Sequence, residues 1–190
     1  MRKLAAILMI LCLTPFAALA EGNMITYDFG DFTMDFSEDM IGEINEKEEN
    51  QVFFVLYPDY QEENLFDNSF TCVWSEAAED YSQEDPAQIG QEILNQTVAA
   101  MKAQHIGIEN EMLIAAAMDE HEGKPALAII FSYDADYTDA GIDLKTTLYT
   151  MQSYVSDIDF GSYVFSIVVD HFEDAEQIME MMNTIHWTQG

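Results

Sequence analysis

The segment that most constrains the fold is residues 161–170, Gly-Ser-Tyr-Val-Phe-Ser-Ile-Val-Val-Asp. Side chains of a β-strand alternate between its two faces. One face would therefore carry Tyr163, Phe165, Ile167 and Val169. The other would carry Val164, Ser166 and Val168, so both faces are largely apolar. The pattern predicts the central strand of a sheet.

Residues 173–187 continue as a predicted amphipathic helix. Apolar residues recur there at steps of three and four positions: Ala175, Ile178, Met182 and Ile185. Acidic and amide residues lie between them, so one side of the helix is apolar and the other polar. The apolar side would fold back and cover the sheet. Met179 and Met181 fall toward the edge of this stripe. They would either fill the core, which is the favoured interpretation, or line an adaptable binding surface.

The first 20 residues have the pattern of a cleavable signal peptide. Arg2 and Lys3 precede an apolar run over residues 4–13, and Ala18 and Ala20 form a small-x-small cleavage site. We therefore expect cleavage after Ala20 and a secreted or periplasmic protein of bacterial source. Residues 21–190 would then form a single domain, a length that suits one hydrophobic core.

The charge of the mature chain limits its partners. Loss of Arg2 and Lys3 takes the formal net charge from −30 to −32, and no arginine remains. This charge excludes nucleic acid and anionic membrane surfaces as partners. Simple solubility is the favoured reason for so many carboxylates, while cation binding and a basic partner remain open. An unknown protein or small molecule is the expected ligand.

Strands occur in runs along the rest of the chain, interrupted by one long helix. A hairpin is predicted at 25–36 around Gly30, and residues 38–50 are expected to form a loop. The other predicted strands are 51–57, 69–75, 111–119, 125–134 and 144–156, with loops at 59–67 and 157–160. Asp85 and Pro86 would begin the helix, which should end near Gln104. Short connections favour an antiparallel meander in an α+β domain.

This layout resembles the PsbP-like superfamily, of PsbP and DcrB type. The resemblance lies in an F-x-M-x-F-S-E-D-M opening at 32–40, Tyr57 before Pro58, an E-G-K-P-A turn at 122–126, and a T-I-x-W ending at 184–187. It extends over nearly the whole mature chain. The resemblance implies an α/β/α sandwich in which helices cover an antiparallel sheet. It implies no ligand, because proteins of this fold bind very different partners.

No pattern of residues identifies a catalytic site. The chain contains no nucleophile-elbow glycine pattern, phosphate-binding loop or paired-cysteine motif. Cys72 lies in an apolar strand and is expected to be a buried, inert thiol. The four histidines are scattered: His105 and His186 at helix C-termini, His121 in a turn, and His171 at a strand-to-helix junction. We therefore expect a non-catalytic binding domain, with no cofactor. The alternative is an acid hydrolase that uses two carboxylates in a cleft.

One acidic cluster is a candidate for a calcium site. Four carboxylates lie within ten residues: Asp134, Asp136, Asp139 and Asp143. With Gly141 permitting a sharp turn, their oxygens could surround a hard cation. The spacing does not match an EF-hand, because Thr138 and Asp139 occupy the fifth and sixth positions. A solvated hairpin loop is the favoured interpretation, and a calcium-binding surface domain remains the alternative.

Overall fold

The computed structural model describes residues 24–37, 44–48, 51–55, 69–75, 81, 84–157 and 161–188. The strands are β1 Met24–Asp28, β2 Phe32–Ser37, β3 Ile44–Glu48, β4 Gln51–Val55, β5 Ser69–Ser75, β6 Gly107–His121, β7 Lys124–Asp136, β8 Lys145–Asp157, β9 Gly161–Val169 and β10 His186–Trp187. The helices are α1 Pro86–Ala103 and α2 Phe172–Met182, and a 3₁₀ turn spans Thr138–Ala140. Neither described helix is long and apolar enough to cross a membrane. The predicted signal peptide, the loop at 59–67, the Tyr57-Pro58 pair and the reversal at 158–160 lie outside these residues.

The described strands form two antiparallel sheets. The larger has seven strands in the order β3-β4-β5-β9-β8-β7-β6, and the smaller has the order β1-β2-β10. β9 is the middle strand of the larger sheet, as its two apolar faces predict. The meander from β6 to β9 and the hairpin of β1 and β2 are also confirmed.

Each face of the larger sheet has its own apolar core. On one face, Tyr163, Phe165, Ile167 and Val169 pack with residues of β2 and with Met181 and Met182 of α2. On the other face, Leu127, Ile129 and Phe131 of β7 pack with Ile89, Leu94 and Val98 of α1. Helices therefore cover both faces of the sheet, and the fold is the predicted α/β/α sandwich.

Helix α1 begins and packs as its sequence indicates. Asp85 accepts a hydrogen bond from the Ala87 amide (3.0 Å), and Pro86 occupies the first turn, where its missing donor has no partner to lose. Gly90 lies in the buried stripe and allows α1 to approach the Ala116 side chain of β6 closely. The helix ends at Ala103, and β6 begins four residues later at Gly107.

The predicted helix over 173–187 is too long at its C-terminal end. The structure ends α2 at Met182, because the Thr184 hydroxyl donates to the Met181 carbonyl (2.7 Å) and accepts from the Asp35 amide (2.8 Å). His186 therefore lies in β10, which pairs with β2, and not at a helix C-terminus. Met181 is 1% exposed, so it fills the core and does not line the edge of the stripe.

The predicted loop over 38–50 contains a strand. β3 pairs with β4, with Ile44 opposite Phe54 and Glu48 opposite Gln51. A charged segment can form such a strand at the edge of a sheet, because backbone hydrogen bonds hold it and its side chains need no burial. The charged side chains of residues 38–50 do not reveal β3, because backbone hydrogen bonds and not apolar side chains form this strand.

Candidate interaction surface

Strand β6 forms one edge of the seven-stranded sheet. It runs for 15 residues and pairs with β7 from Gly107 opposite Asp136 to His121 opposite Lys124. No backbone hydrogen bond joins its outer side to another described segment. Backbone amides and carbonyls of an edge strand can pair with an added strand, so β6 offers a ready-made template.

Two irregularities interrupt the pairing of β6 with β7. They lie between Glu109 and Met112 and between Leu113 and Ala115. Asn110, within the first, has a positive φ of 52°, and its Nδ2 donates to Asp134 Oδ2 on β7 (2.6 Å). Bulges of this kind twist an edge and limit unwanted pairing. The register is regular again from Ala115 to His121.

The centre of β6 carries small and apolar side chains on both faces. Ala116 faces α1, where it meets Gly90. Ala115 and Ala117 face the other side of the sheet, opposite Ile130 and Ala128 of β7, and are partly exposed. On that side α2 packs on β9 and β2, and strands β8 and β7 separate β9 from β6.

Two exposed methionines flank this centre. Met112 is 56% exposed and Met118 is 42% exposed. The other large apolar side chains with high exposure in the described part of the chain are Ile25, Val73 and Ile142. Methionine side chains are flexible and polarisable, which suits them to contact with varied partners. The sequence offered an adaptable methionine surface on α2 as an alternative, whereas the exposed Met112 and Met118 lie on β6.

Acidic side chains occupy both ends of β6. Glu109 and Glu111 precede the centre, and Asp119 and Glu120 follow it; all four are exposed. Residues 113–118 between them carry no charge. The sequence contained a sign of this surface, since a run of three alanines in a strand leaves little apolar area to bury.

The predicted calcium residues lie near the start of β6, where a cleft of about 690 Å³ opens between β6, β7 and β8. Asp134 accepts hydrogen bonds from Asn110 and from the Thr147 hydroxyl (2.7 Å), which lower its pKa. Asp136 pairs with Lys145 (2.6 Å) and accepts from the Thr138 amide (3.0 Å). These hydrogen bonds lower the pKa of Asp136 to about 2.

The structure brings Asp134 and Asp136 into one cleft and leaves the other two acids outside its lining. Asp139 lies in the 3₁₀ turn and Asp143 in the following loop, and both are exposed. Gly141 ends the turn in the left-handed region, with φ of 90°. Within the described ranges, no three His, Cys, Asp or Glu side chains lie where they could hold a metal ion. The calcium site stays a prediction.

Three titratable side chains away from this cleft, Cys72, His121 and Glu122, are buried or hydrogen-bonded. Cys72 is buried, and burial raises the pKa of its thiol. His121 Nε2 lies 3.0 Å from Ser153 Oγ, and burial lowers its pKa. A hydrogen bond from His186 (2.5 Å) lowers the pKa of Glu122. A general acid needs a raised pKa, so Glu122, like the two acids of the cleft, does not fit the role of the proton donor in an acid hydrolase.

Solved structures of other proteins share this fold. The sequence matches no protein-family model and no curated protein. The solution structure of cyanobacterial PsbP (CyanoP) from Synechocystis sp. PCC 6803 superposes with a TM-score of 0.61 at 12% identity, covering 93% of this chain and 99% of that chain. The Ran-binding protein Mog1p of Saccharomyces cerevisiae superposes with a TM-score of 0.53 at 15% identity, covering 88% and 96%. The chain therefore has a PsbP-like fold.

Proposed function

We propose that this protein is a non-catalytic interaction domain that binds an extended segment of a partner protein along β6. The observation that supports this most is the outer side of β6, which has no described strand beside it. The exposed Met112 and Met118 lie along this strand, on opposite faces of the sheet. Mog1p, a protein of the same fold, is a Ran-binding protein, so this fold can present a surface to a protein partner.

Backbone pairing and side-chain contact would both contribute to binding. A segment paired with the regular residues 115–118 would form about four main-chain hydrogen bonds, because alternate residues direct both backbone groups outward. Each contributes about 0.5–1.5 kcal/mol net. Association itself costs about 4–15 kcal/mol, so these bonds alone would leave binding weak. Covering the exposed parts of Met112 and Met118 supplies additional apolar burial.

The acid hydrolase is the less supported alternative. It needs one carboxyl group with a raised pKa beside an ionised one. Asp134 and Asp136 share the cleft, but hydrogen bonds lower the pKa of both. Binding without chemistry therefore accounts better for the described residues.

Selection of peptides on the folded protein tests the proposed function. A displayed library of random peptides is selected, and the affinity of the selected sequences is measured by fluorescence anisotropy. Burying half of each methionine is worth about 1 kcal/mol. The Met112→Ser and Met118→Ser double variant should therefore bind about tenfold more weakly or worse.

The matched control changes two exposed apolar side chains away from β6, in the Ile25→Ser and Ile142→Ser double variant. Both residues are about as exposed as the methionines, at 40% and 50%. We expect this control to change affinity less than about twofold, in line with a surface site outside the interface. Equal losses in the two double variants would refute binding at β6.

We also propose that the protein is secreted after removal of residues 1–20. The support is the order of a charged start, an apolar run and small residues before the expected cleavage site at Ala20. Expression of the full chain in a bacterial host and mass spectrometry of the exported product test this proposal. The expected product begins at Glu21, and a product that keeps Arg2 in the cytoplasm contradicts it.

A further inference from the structure

The charges along β6 describe the partner in more detail. Glu109 and Glu111 lie before the uncharged centre of the strand, and Asp119 and Glu120 lie after it. All four side chains are exposed, and Glu109 through Glu120 belong to the same open edge. A segment that pairs along this edge brings its own side chains opposite these carboxylates at both ends.

The spacing of the two acidic ends sets the spacing of complementary charges. Glu111 and Asp119 are eight positions apart in β6, and the extra residue between Leu113 and Ala115 leaves about seven steps of regular strand between them, or about 23 Å. Opposite charges directly across two strands stabilise the pair, and like charges destabilise it. A well-matched segment therefore carries basic residues about seven or eight positions apart, with an uncharged centre between them.

Like charges disfavour a second copy of this chain in the register centred on Ala115. Antiparallel pairing of two β6 strands about Ala115 would place Glu111 of each copy opposite Asp119 of the other, so like charges would meet at both ends. The lysines of the mature chain cannot supply the complementary segment either. They stand at positions 47, 102, 124 and 145, and no two of them lie eight positions apart.

We infer that the partner of β6 is a basic protein segment whose lysine or arginine residues flank an uncharged, strand-forming centre. This inference rests on the proposed function. The four acids then have two effects: they oppose pairing between copies of the chain, and they favour an added strand with basic ends. The uncharged centre supplies the backbone pairing and the contact with Met112 and Met118.

Synthetic peptides test the inference directly. The probe has a seven-residue Thr-Val repeat between two lysine pairs, which places the inner lysines eight positions apart. Matched peptides replace the lysine pairs with glutamine pairs or glutamate pairs, and a fourth keeps the lysines but has two prolines in the centre. Isothermal titration calorimetry measures affinity, and hydrogen exchange locates the bound peptide.

The expected order of affinity is lysine, then glutamine, then glutamate. Exposed ion pairs contribute about 0.2–1 kcal/mol each, so glutamine flanks should weaken binding about tenfold. The central prolines should abolish the protection of amides at 113–118, because proline cannot pair along a strand. Raising the salt concentration should weaken the lysine peptide most.

A charge-matched pair of protein variants separates local from overall attraction. Neutralising the acids of β6 in the variant Glu109→Gln, Glu111→Gln, Asp119→Asn and Glu120→Gln should weaken the lysine peptide about tenfold. The control changes four exposed acids on other elements to the same net charge: Asp28→Asn, Glu84→Gln, Asp139→Asn and Glu173→Gln. It should weaken binding less than about twofold.

Each contrary result has a distinct meaning. Equal affinity of the lysine and glutamine peptides, with amides 113–118 protected by both, overturns the basic partner and leaves strand addition standing. Absence of binding by every peptide, or equal binding of the proline peptide, refutes the proposed function as well. Equal losses in the two charge variants show attraction to the whole protein and overturn the inference. A wild-type dimer that protects amides 113–118 makes a second copy the occupant.

Discussion

Gly90 lies where α1 packs closely on β6, so its replacement by alanine tests the packing beneath the proposed surface. An added Cβ would lie 3.0 Å from the Cβ of Ala116 and 3.1 Å from Cδ1 of Leu113. The Leu113 terminus can rotate away. The Cβ of Ala116 cannot, because it is bonded directly to the backbone of β6.

Two opposing effects decide the outcome for Gly90→Ala. Alanine in place of glycine inside a helix gains about 1 kcal/mol. Overpacking of a close contact costs about 1–3 kcal/mol. We expect the contact to outweigh the helix preference, with a net loss of about 1 kcal/mol in the free energy of unfolding. Urea unfolding followed by circular dichroism should show the midpoint falling by roughly 0.3–1 M.

The variant Ala116→Gly provides the matched control for this contact. Alone, it should destabilise the protein, because glycine weakens a strand interior. Combined with Gly90→Ala, it removes the atom that the new Cβ meets, so the double variant should lose less stability than the two single variants together. If Gly90→Ala alone raises the free energy of unfolding by about 1 kcal/mol, α1 does not pack closely on β6.

Three further predictions concern the ionisable groups. Cys72 is buried with a raised pKa, so a thiol reagent should react far more slowly in native buffer than in denaturant, and equal rates would contradict the burial. The pKa of Asp136 is lowered to about 2, so its stabilising contribution is present above pH 4 and is lost as the pH falls toward 2. Asp136→Asn should therefore flatten the dependence of Tm on pH in that window, and an unchanged curve would contradict the pairing with Lys145. Salt should raise Tm by screening the net charge, whereas calorimetric titration should show no saturable calcium term. A saturable isotherm that is lost in the Asp136→Asn and Asp139→Asn double variant would establish the calcium site.

Local sequence patterns predicted those elements whose cause is local. The two apolar faces of β9 follow from alternation alone, and the start of α1 follows from Asp85 and Pro86. β10 could not be found this way, because its two residues become a strand by pairing with Phe32 and Thr33, far away in the sequence. The same contact between distant segments determines where α2 ends.

The candidate surface was harder to predict than the fold. β6 was predicted as a strand, but its place at the sheet edge depends on the order of all seven strands. The acids at the end of β7 and in the β7–β8 connection were conspicuous in the sequence, yet the structure engages Asp134 and Asp136 with Asn110 and Lys145. Chain spacing alone does not show which carboxylates already have partners.

Amide hydrogen exchange of residues 113–118, followed by nuclear magnetic resonance, tests the open edge of β6 most directly. In the free protein, amides directed toward β7 should exchange slowly, and the alternating amides on the outer side should exchange fast. Addition of the lysine-flanked peptide should slow the outer amides and leave the inner ones unchanged. Slow exchange at all of these residues in the free protein would show that the edge is already covered, which contradicts binding of a partner strand there.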